Sequence, residues 1–175
     1  KRIGLAVSDP LGLTAQGLET YVRTGQRLNS LPDDLPQELT EQAAGAFVSL
    51  HISGQLRGCI GTIAPTQENT AWEIVQNAVS AGTRDPRFPA VGADELEELE
   101  YSVDVLGQPE MVDSPDQLDP RQYGVIVSCG HRRGLLLPDL DGVDTVEQQI
   151  DIARQKGGIR AGEPYTLQRF QVVRH

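Results

Sequence analysis

The chain has no long apolar run, and stretches such as Leu135-Leu136-Leu137 fall far short of the roughly 20 residues that a membrane-spanning helix needs. No targeting signal is evident either. Lys1-Arg2-Ile3-Gly4-Leu5-Ala6-Val7 is basic then apolar, but it is too brief for a signal-peptide core and no small-residue cleavage site follows, which points to the cytoplasm. Cysteine is scarce: Cys59 and Cys129 make no disulfide framework, and neither lies in a C-x-x-C pair suited to zinc or thiol-disulfide chemistry. His51, His131 and His175 are scattered, without the spacing of a metal site, so no metal is expected. Neither G-x-x-x-x-G-K-[ST] nor G-x-G-x-x-G occurs, which disfavours nucleotide binding by those routes.

Basic residues are outnumbered, 15 against 25 acidic, and the net charge of −10 disfavours a protein that binds nucleic acid by neutralising phosphates. The charge is also segregated. Residues 89–120 contain no Lys or Arg while acids recur from Asp94 to Asp119, a pattern that reads first as a soluble face. Arg57, Arg84, Arg87, Arg132 and Arg133 lie elsewhere and leave room for a small anionic ligand.

With 175 residues, a single domain is the default expectation. Asp9-Pro10 reads as a helix N-cap with proline at the first helical position, Leu11, Ala15, Leu18 and Val22 fall on one face, and Gly25 is the stop. The glycines inside that helix imply that it depends on tertiary packing. Residues 46–52 and 56–63 read as a hairpin around Ser53-Gly54, with Leu50 opposite Gly58, Val48 opposite Ile60 and Ile52 opposite Leu56. The other face then carries Phe47, Ser49, His51, Arg57, Cys59 and Gly61. A two-residue loop would shift that pairing by one. Thr70 to Glu73 reads as a capping box opening a helix over 70–81, with Asn77 on its solvated flank. A strand follows over 99–105, then a polar loop over 113–120. A second hairpin spans 123–137 around Gly130, Thr145 to Gln148 caps another helix, and one terminal strand runs over 165–173.

A constant offset superposes Gly54 on Gly130, Arg57 on Arg133 and Gly58 on Gly134, and each hairpin is followed by a loop and a capped helix. The predicted fold is therefore α+β: an antiparallel sheet flanked by helices, built from two degenerate strand-strand-helix repeats. Cys59 and Gly61 match Leu135 and Leu137, so the hairpin can be built without them.

Gly58 and Gly61 bracket Cys59 in a strand that otherwise favours side chains, and glycine in a strand marks a bulge or a close approach of backbone or ligand. Two readings of Cys59 stand side by side. One is an exposed thiol beside Arg57 and His51, an electropositive setting for a nucleophile or ligand contact; the other is a small buried hydrophobe. Asp85 in turn either fixes Arg84 or Arg87 in a fork suited to a carboxylate or phosphate, or caps backbone amides in a turn set by Pro86.

The hexapeptide Leu56-Arg57-Gly58-Cys59-Ile60-Gly61 resembles the hallmark of the AMMECR1 family. The resemblance continues through Asn77-Ala78, the segment from Arg84 to Pro89, Glu95-Leu96 leading to the Val103 strand, and Gly134-Leu135-Leu136-Leu137-Pro138. It implies a single antiparallel sheet with helices and two similar repeats. It assigns no firm activity and leaves the cofactor unknown. It also implies association with MEMO-type and radical-SAM proteins in a shared pathway, and the absence of an initiator Met suits excision from such a fusion. Residues 1–17 are read as an N-terminal extension of uncertain origin with the start of the first helix, and residues 18–175 as the AMMECR1-like domain. Residues 1–16 also look like the segment after the first strand of Holliday-junction-resolvase-like nucleases, yet nothing else of that fold follows. Two hypotheses result. In one, an enzyme or enzyme subunit uses Cys59 as its thiol, with Arg57, Asp85, Arg87 and His51 around it and Gly58 and Gly61 admitting the ligand. In the other, a non-catalytic adaptor docks a partner through the hairpin face.

Overall fold

The computed structural model describes residues 9–175, so the first eight positions of the N-terminal extension lie outside the described residues. The chain divides into two compact units, one of residues 1–105 with 174–175 and one of residues 106–173. In the first unit, helix α1 (Pro10–Thr24) is capped as its sequence predicts: the Asp9 carboxylate accepts the Gly12 N–H at 2.6 Å, and Gly25 closes the helix with φ 73°. The boundary expected at residue 17 runs through this helix, whose Leu13 and Leu18 are both fully buried. A short helix α2 (Gln37–Thr40) leads to strands β1 (Ala46–Ile52) and β2 (Gln55–Gly61), helix α3 (Thr70–Thr83) and strand β3 (Leu99–Leu106).

The start of α3 differs from its sequence reading. Asn69, not Thr70, is the N-cap and accepts the Trp72 N–H at 2.9 Å. Glu73 is fully buried and turns back to take hydrogen bonds from the Thr66 backbone and hydroxyl and from the Gln67 N–H, pinning the loop before the helix. Asn77 is not solvated. It is buried and donates to Ala46 O at 2.8 Å and to Thr62 Oγ1 at 3.2 Å, tying the helix to the first residue of β1.

The second unit contains β4 (Glu110–Val112), β5 (Gly124–Cys129), β6 (Arg132–Leu136), α4 (Val146–Lys156) and β7 (Thr166–Phe170). The Thr145 and Gln148 capping box opens α4 as predicted. Two four-stranded sheets result, ordered β2-β1-β3-β8 and β4-β7-β5-β6, where the sequence reading expected one. The terminal strand is the reason. It breaks at Gln171, so that β7 joins β4 and β5 while β8 (Val172–Arg174) joins β3, with reciprocal backbone bonds between Val103 and His175. Among the described residues no helix is long and apolar enough to cross a membrane.

Both hairpins meet their helix through the same kind of contact. A Cβ on Gly58 would lie 2.2 Å from the Ala81 carbonyl oxygen of α3, and one on Gly134 would lie 1.7 Å from the Ala153 carbonyl oxygen of α4. Four residues before each alanine an amide side chain reaches the start of the preceding strand: Asn77 to Ala46 O, and Gln149 to Tyr123 O at 2.8 Å. The constant sequence offset does not survive on the strands, however. By pairing, Gly134 faces Val127 as Gly58 faces Leu50, and Arg133 takes the place of Leu56, because the first hairpin carries one extra residue.

Gly58→Ala should therefore destabilise the protein through overpacking by about 2–3 kcal/mol. Gly142→Ala, at φ 82° with nothing within 4 Å of the added carbon, should lose about 1 kcal/mol. Urea midpoints at constant slope measure both, and equal losses would refute the packing argument.

Candidate functional site

The extra residue is Arg57. The Ser53-Gly54 turn is a two-residue loop with both φ angles positive, 51° and 76°, the turn whose twist suits a hairpin. It pairs Ile52 with Gln55 and His51 with Leu56; the ladder then skips Arg57 and resumes with Leu50 opposite Gly58, Ser49 opposite Cys59 and Val48 opposite Ile60. The short loop thus coexists with the expected Leu50–Gly58 and Val48–Ile60 pairs, which the sequence reading treated as exclusive, but the expected Ile52–Leu56 pair does not form, because the turn, ahead of the bulge's extra residue, pairs Ile52 with Gln55. A bulge also re-aims a side chain. Arg57 forks onto Glu95, with Nε to Oε2 at 2.8 Å and Nη2 to Oε1 at 3.1 Å, and its side chain is only 13% exposed. Arg57 Nη1 is buried without a partner among the described residues. The guanidinium holds the Glu95 carboxyl below the usual range, helped by the Gly92 N–H.

Two residues further on, Cys59 is half-buried, and its sulfur accepts a hydrogen bond from the Ser49 hydroxyl at 3.3 Å. Because β2 is the outermost strand of its sheet, the Cys59 N–H is not spent on the ladder. It donates to Asp85 Oδ2 at 3.0 Å. Asp85 comes two residues after α3 ends, and its carboxylate, 2% exposed, takes three more hydrogen bonds from one residue: Oδ1 from Arg87 N at 3.0 Å and Nε at 3.1 Å, Oδ2 from Arg87 Nη2 at 2.8 Å. Both sequence readings of Asp85 hold together, since it caps backbone amides and forks an arginine. The arginine is Arg87; Arg84 is exposed.

The Arg87 side chain remains 57% exposed, with its guanidinium carbon 5.4 Å from the Phe88 ring centroid. Its hydrogen bond to Asp85 raises its pKa, and Asp85 in turn is held well below the usual carboxylate range, first by that bond and then by the Cys59 and Arg87 N–H groups, while burial opposes.

Cys59, Asp85 and Arg87 are thus joined directly, and Arg57 lies beside them on the bulge with Glu95. His51 shares the open face of β1 but is paired with Leu56 and Glu100, one pleat along from Ser49, and makes no hydrogen bond to the thiol. The space above Gly58 and Gly61 is filled by the protein itself, by the Ala81 carbonyl and by the Phe47 ring, which a Cβ on Gly61 would approach to 2.3 Å. Ser49, Phe88 and Glu95 appear in the sequence reading without a role at the site. A buried arginine demands a carboxylate, but the acid-rich stretch offers too many to choose among. Among the described residues no three His, Cys, Asp or Glu side chains gather as a metal site.

Helix-backed antiparallel sheets, with a thiol and two arginines held along one sheet edge by carboxylates from the following loop, define the protein as an α+β domain with an edge-strand candidate site. The same fold is found in an uncharacterized protein of Pyrococcus horikoshii, with a TM-score of 0.85 and 28% identity over 94% of this chain and 88% of that one. The chain belongs to the AMMECR1 family, whose model matches residues 11–175. It is 48% identical over 93% of its length to a Clostridium acetobutylicum protein, of which it spans only 35%. It is 52% identical over 90% of its length to a Thermotoga maritima protein, of which it spans 91%.

Asp85→Asn should cost about 3 kcal/mol at neutral pH, because the amide turns a donor toward donors. The native pKa of Asp85 is depressed, so its contribution is fully present above the unfolded value near 3.9 and lost as pH falls toward the native one. The stability gap between wild type and Asp85→Asn should accordingly narrow below about pH 4. Urea titrations at several pH values read that gap, and one that stays constant would exclude the ionised role.

Proposed function

We propose that this domain is an enzyme or enzyme subunit in which Cys59 supplies the thiol and Arg87 the recognition of a small anionic ligand. The observation that carries the reading is the doubly used Asp85 carboxylate, which grips the backbone of the thiol residue and the guanidinium of Arg87 at once while Arg87 stays largely open to solvent. A guanidinium held by a buried acid presents its remaining N–H donors in a fixed plane, the geometry that carboxylates and phosphates recognise. Arg57 and Glu95 extend the charged strip by two residues. The resemblance further supports a pathway shared with MEMO-type and radical-SAM proteins.

The adaptor reading draws on a different observation: Leu56, next to the bulge, is a large apolar side chain left exposed on the outermost strand. Substituting Cys59 separates the two. In an adaptor, Cys59→Ser keeps partner affinity and restores the phenotype of a strain lacking the gene; in a thiol enzyme it keeps the affinity and fails to restore.

Alkylation tests the site directly. In a Cys129→Ser background Cys59 is the one thiol, and iodoacetate should react faster relative to neutral iodoacetamide than it does with a small free thiol, by on the order of 5-fold. Arg87→Gln should abolish that preference while leaving the iodoacetamide rate, which reports access to the sulfur, nearly unchanged. A ratio indifferent to Arg87 would sink the anion-recognition role.

A further inference from the structure

A second concavity lies in the unit formed by residues 106–173, at the end of its sheet where β4 and β7 pair. It has a volume of about 240 Å³ and is lined by Gly107, Gln108, Glu110, Tyr123, Arg169 and Gln171 among others. Its centre is Arg169. The guanidinium carbon sits 4.3 Å from the centroid of the Tyr123 ring, Nη1 donates to Gln117 O at 2.8 Å, and Nε donates to Glu110 Oε2 at 3.2 Å across the β4–β7 pair. Three protein groups therefore fix the plane of the cation, yet Nη2 has no acceptor among the described residues. Gln108 and Gln171 are exposed, and their side chains make no hydrogen bond among the described residues.

An arginine that lines a polar hollow with its stacking face and two nitrogens committed and its last nitrogen unclaimed by the described residues is arranged to accept one carboxylate oxygen rather than a multiply charged group. Glu110 decides the rest. Its side chain is 65% exposed and only Oε2 is engaged, so a second carboxylate or a phosphate dianion would meet repulsion there, whereas an ammonium would be attracted. We infer that this hollow binds a small zwitterion of the α-amino acid class, with its carboxylate on Arg169 Nη2, its ammonium on Glu110, and the two glutamine amides available to the side chain. A hollow of about 240 Å³ has room for a molecule of amino-acid size. This site is independent of the Cys59 reading, since it shares no residue with it.

Titration with glycine, acetate and methylammonium at constant ionic strength, followed by the backbone amide shifts of Gly107, Gly124 and Gln171 and by the Arg169 Nε–H resonance, tests the inference on the whole chain. Glycine should bind on the order of tenfold tighter than either half-ligand. Glu110→Gln, at an exposed position where the fold is not at risk, should abolish the preference for glycine over acetate; Arg169→Lys should weaken glycine on the order of tenfold. Acetate binding as tightly as glycine to the wild type, or shifts that Glu110→Gln leaves unaltered, would overturn the zwitterion assignment. Absence of any saturable shift would overturn the site.

Discussion

The absence of a side chain at residue 58 is the constraint on which the candidate site depends. Only because β2 carries no Cβ there can the last turn of α3 press its Ala81 carbonyl against the strand. That contact fixes where the helix ends relative to the open edge of the sheet. Asp85 follows two residues later, within reach of the Cys59 N–H, and Arg87 follows Asp85 closely enough to fold back on it. The return segment is stitched down by the Val91 N–H bond to Gly82 O, which brings Glu95 to the bulged Arg57. Thiol, acids and arginines are thus positioned by one helix-strand contact, and the charges come after it rather than before.

The second unit shows what that contact does alone. Gly134 meets Ala153 as Gly58 meets Ala81, and Gln149 reaches Tyr123 O as Asn77 reaches Ala46 O, yet the residue after the glycine is the buried Leu135. On these shared contacts we propose that the halves descend from one strand-strand-helix unit. Beside that contact the first half also carries a cysteine, an acid at the edge and an extra arginine in the ladder. A bulge beside a thiol is the kind of local irregularity that packing alone does not require, because the second hairpin closes without one.

Periodicity and capping chemistry made most of the elements legible. The Asp9-Pro10 start, the Thr145 and Gln148 box and the strand over 99–105 each report a local preference that the tertiary structure left in force, although Asp104 on that strand is buried. What stayed hidden was decided at a distance. Glu73 sits at the capping-box position by spacing but is drawn to Thr66 and Gln67, and Asn77 lies on a polar flank that the start of β1 covers. Arg57 could be singled out, but its bulge could not, because loop length and apolar register conflict in the sequence and only an extra residue resolves them. The split of the last strand at Gln171 was beyond reach for the same reason: both halves have strand character, and only the availability of two different partners separates them.

The two arginines of the site differ in a way that bears on their roles. Arg57 is enclosed and its charge is largely spent on Glu95, so it orders the bulge and supplies little field outside it. Arg87 is neutralised in total charge by Asp85 just as fully, but the acid lies beneath it and water lies above. Its attraction for an anion then comes less from net charge than from direction: the acid fixes the guanidinium plane, and the N–H groups that Asp85 does not use point outward without the entropy cost of orienting a free side chain. Such a pair contributes to stability chiefly through the buried acid, since exposed ion pairs by themselves are worth about 0–1 kcal/mol. Loss of the acid would therefore disturb the fold and the recognition together, whereas loss of the guanidinium would strip away recognition and leave a buried carboxylate still bonded to two backbone amides.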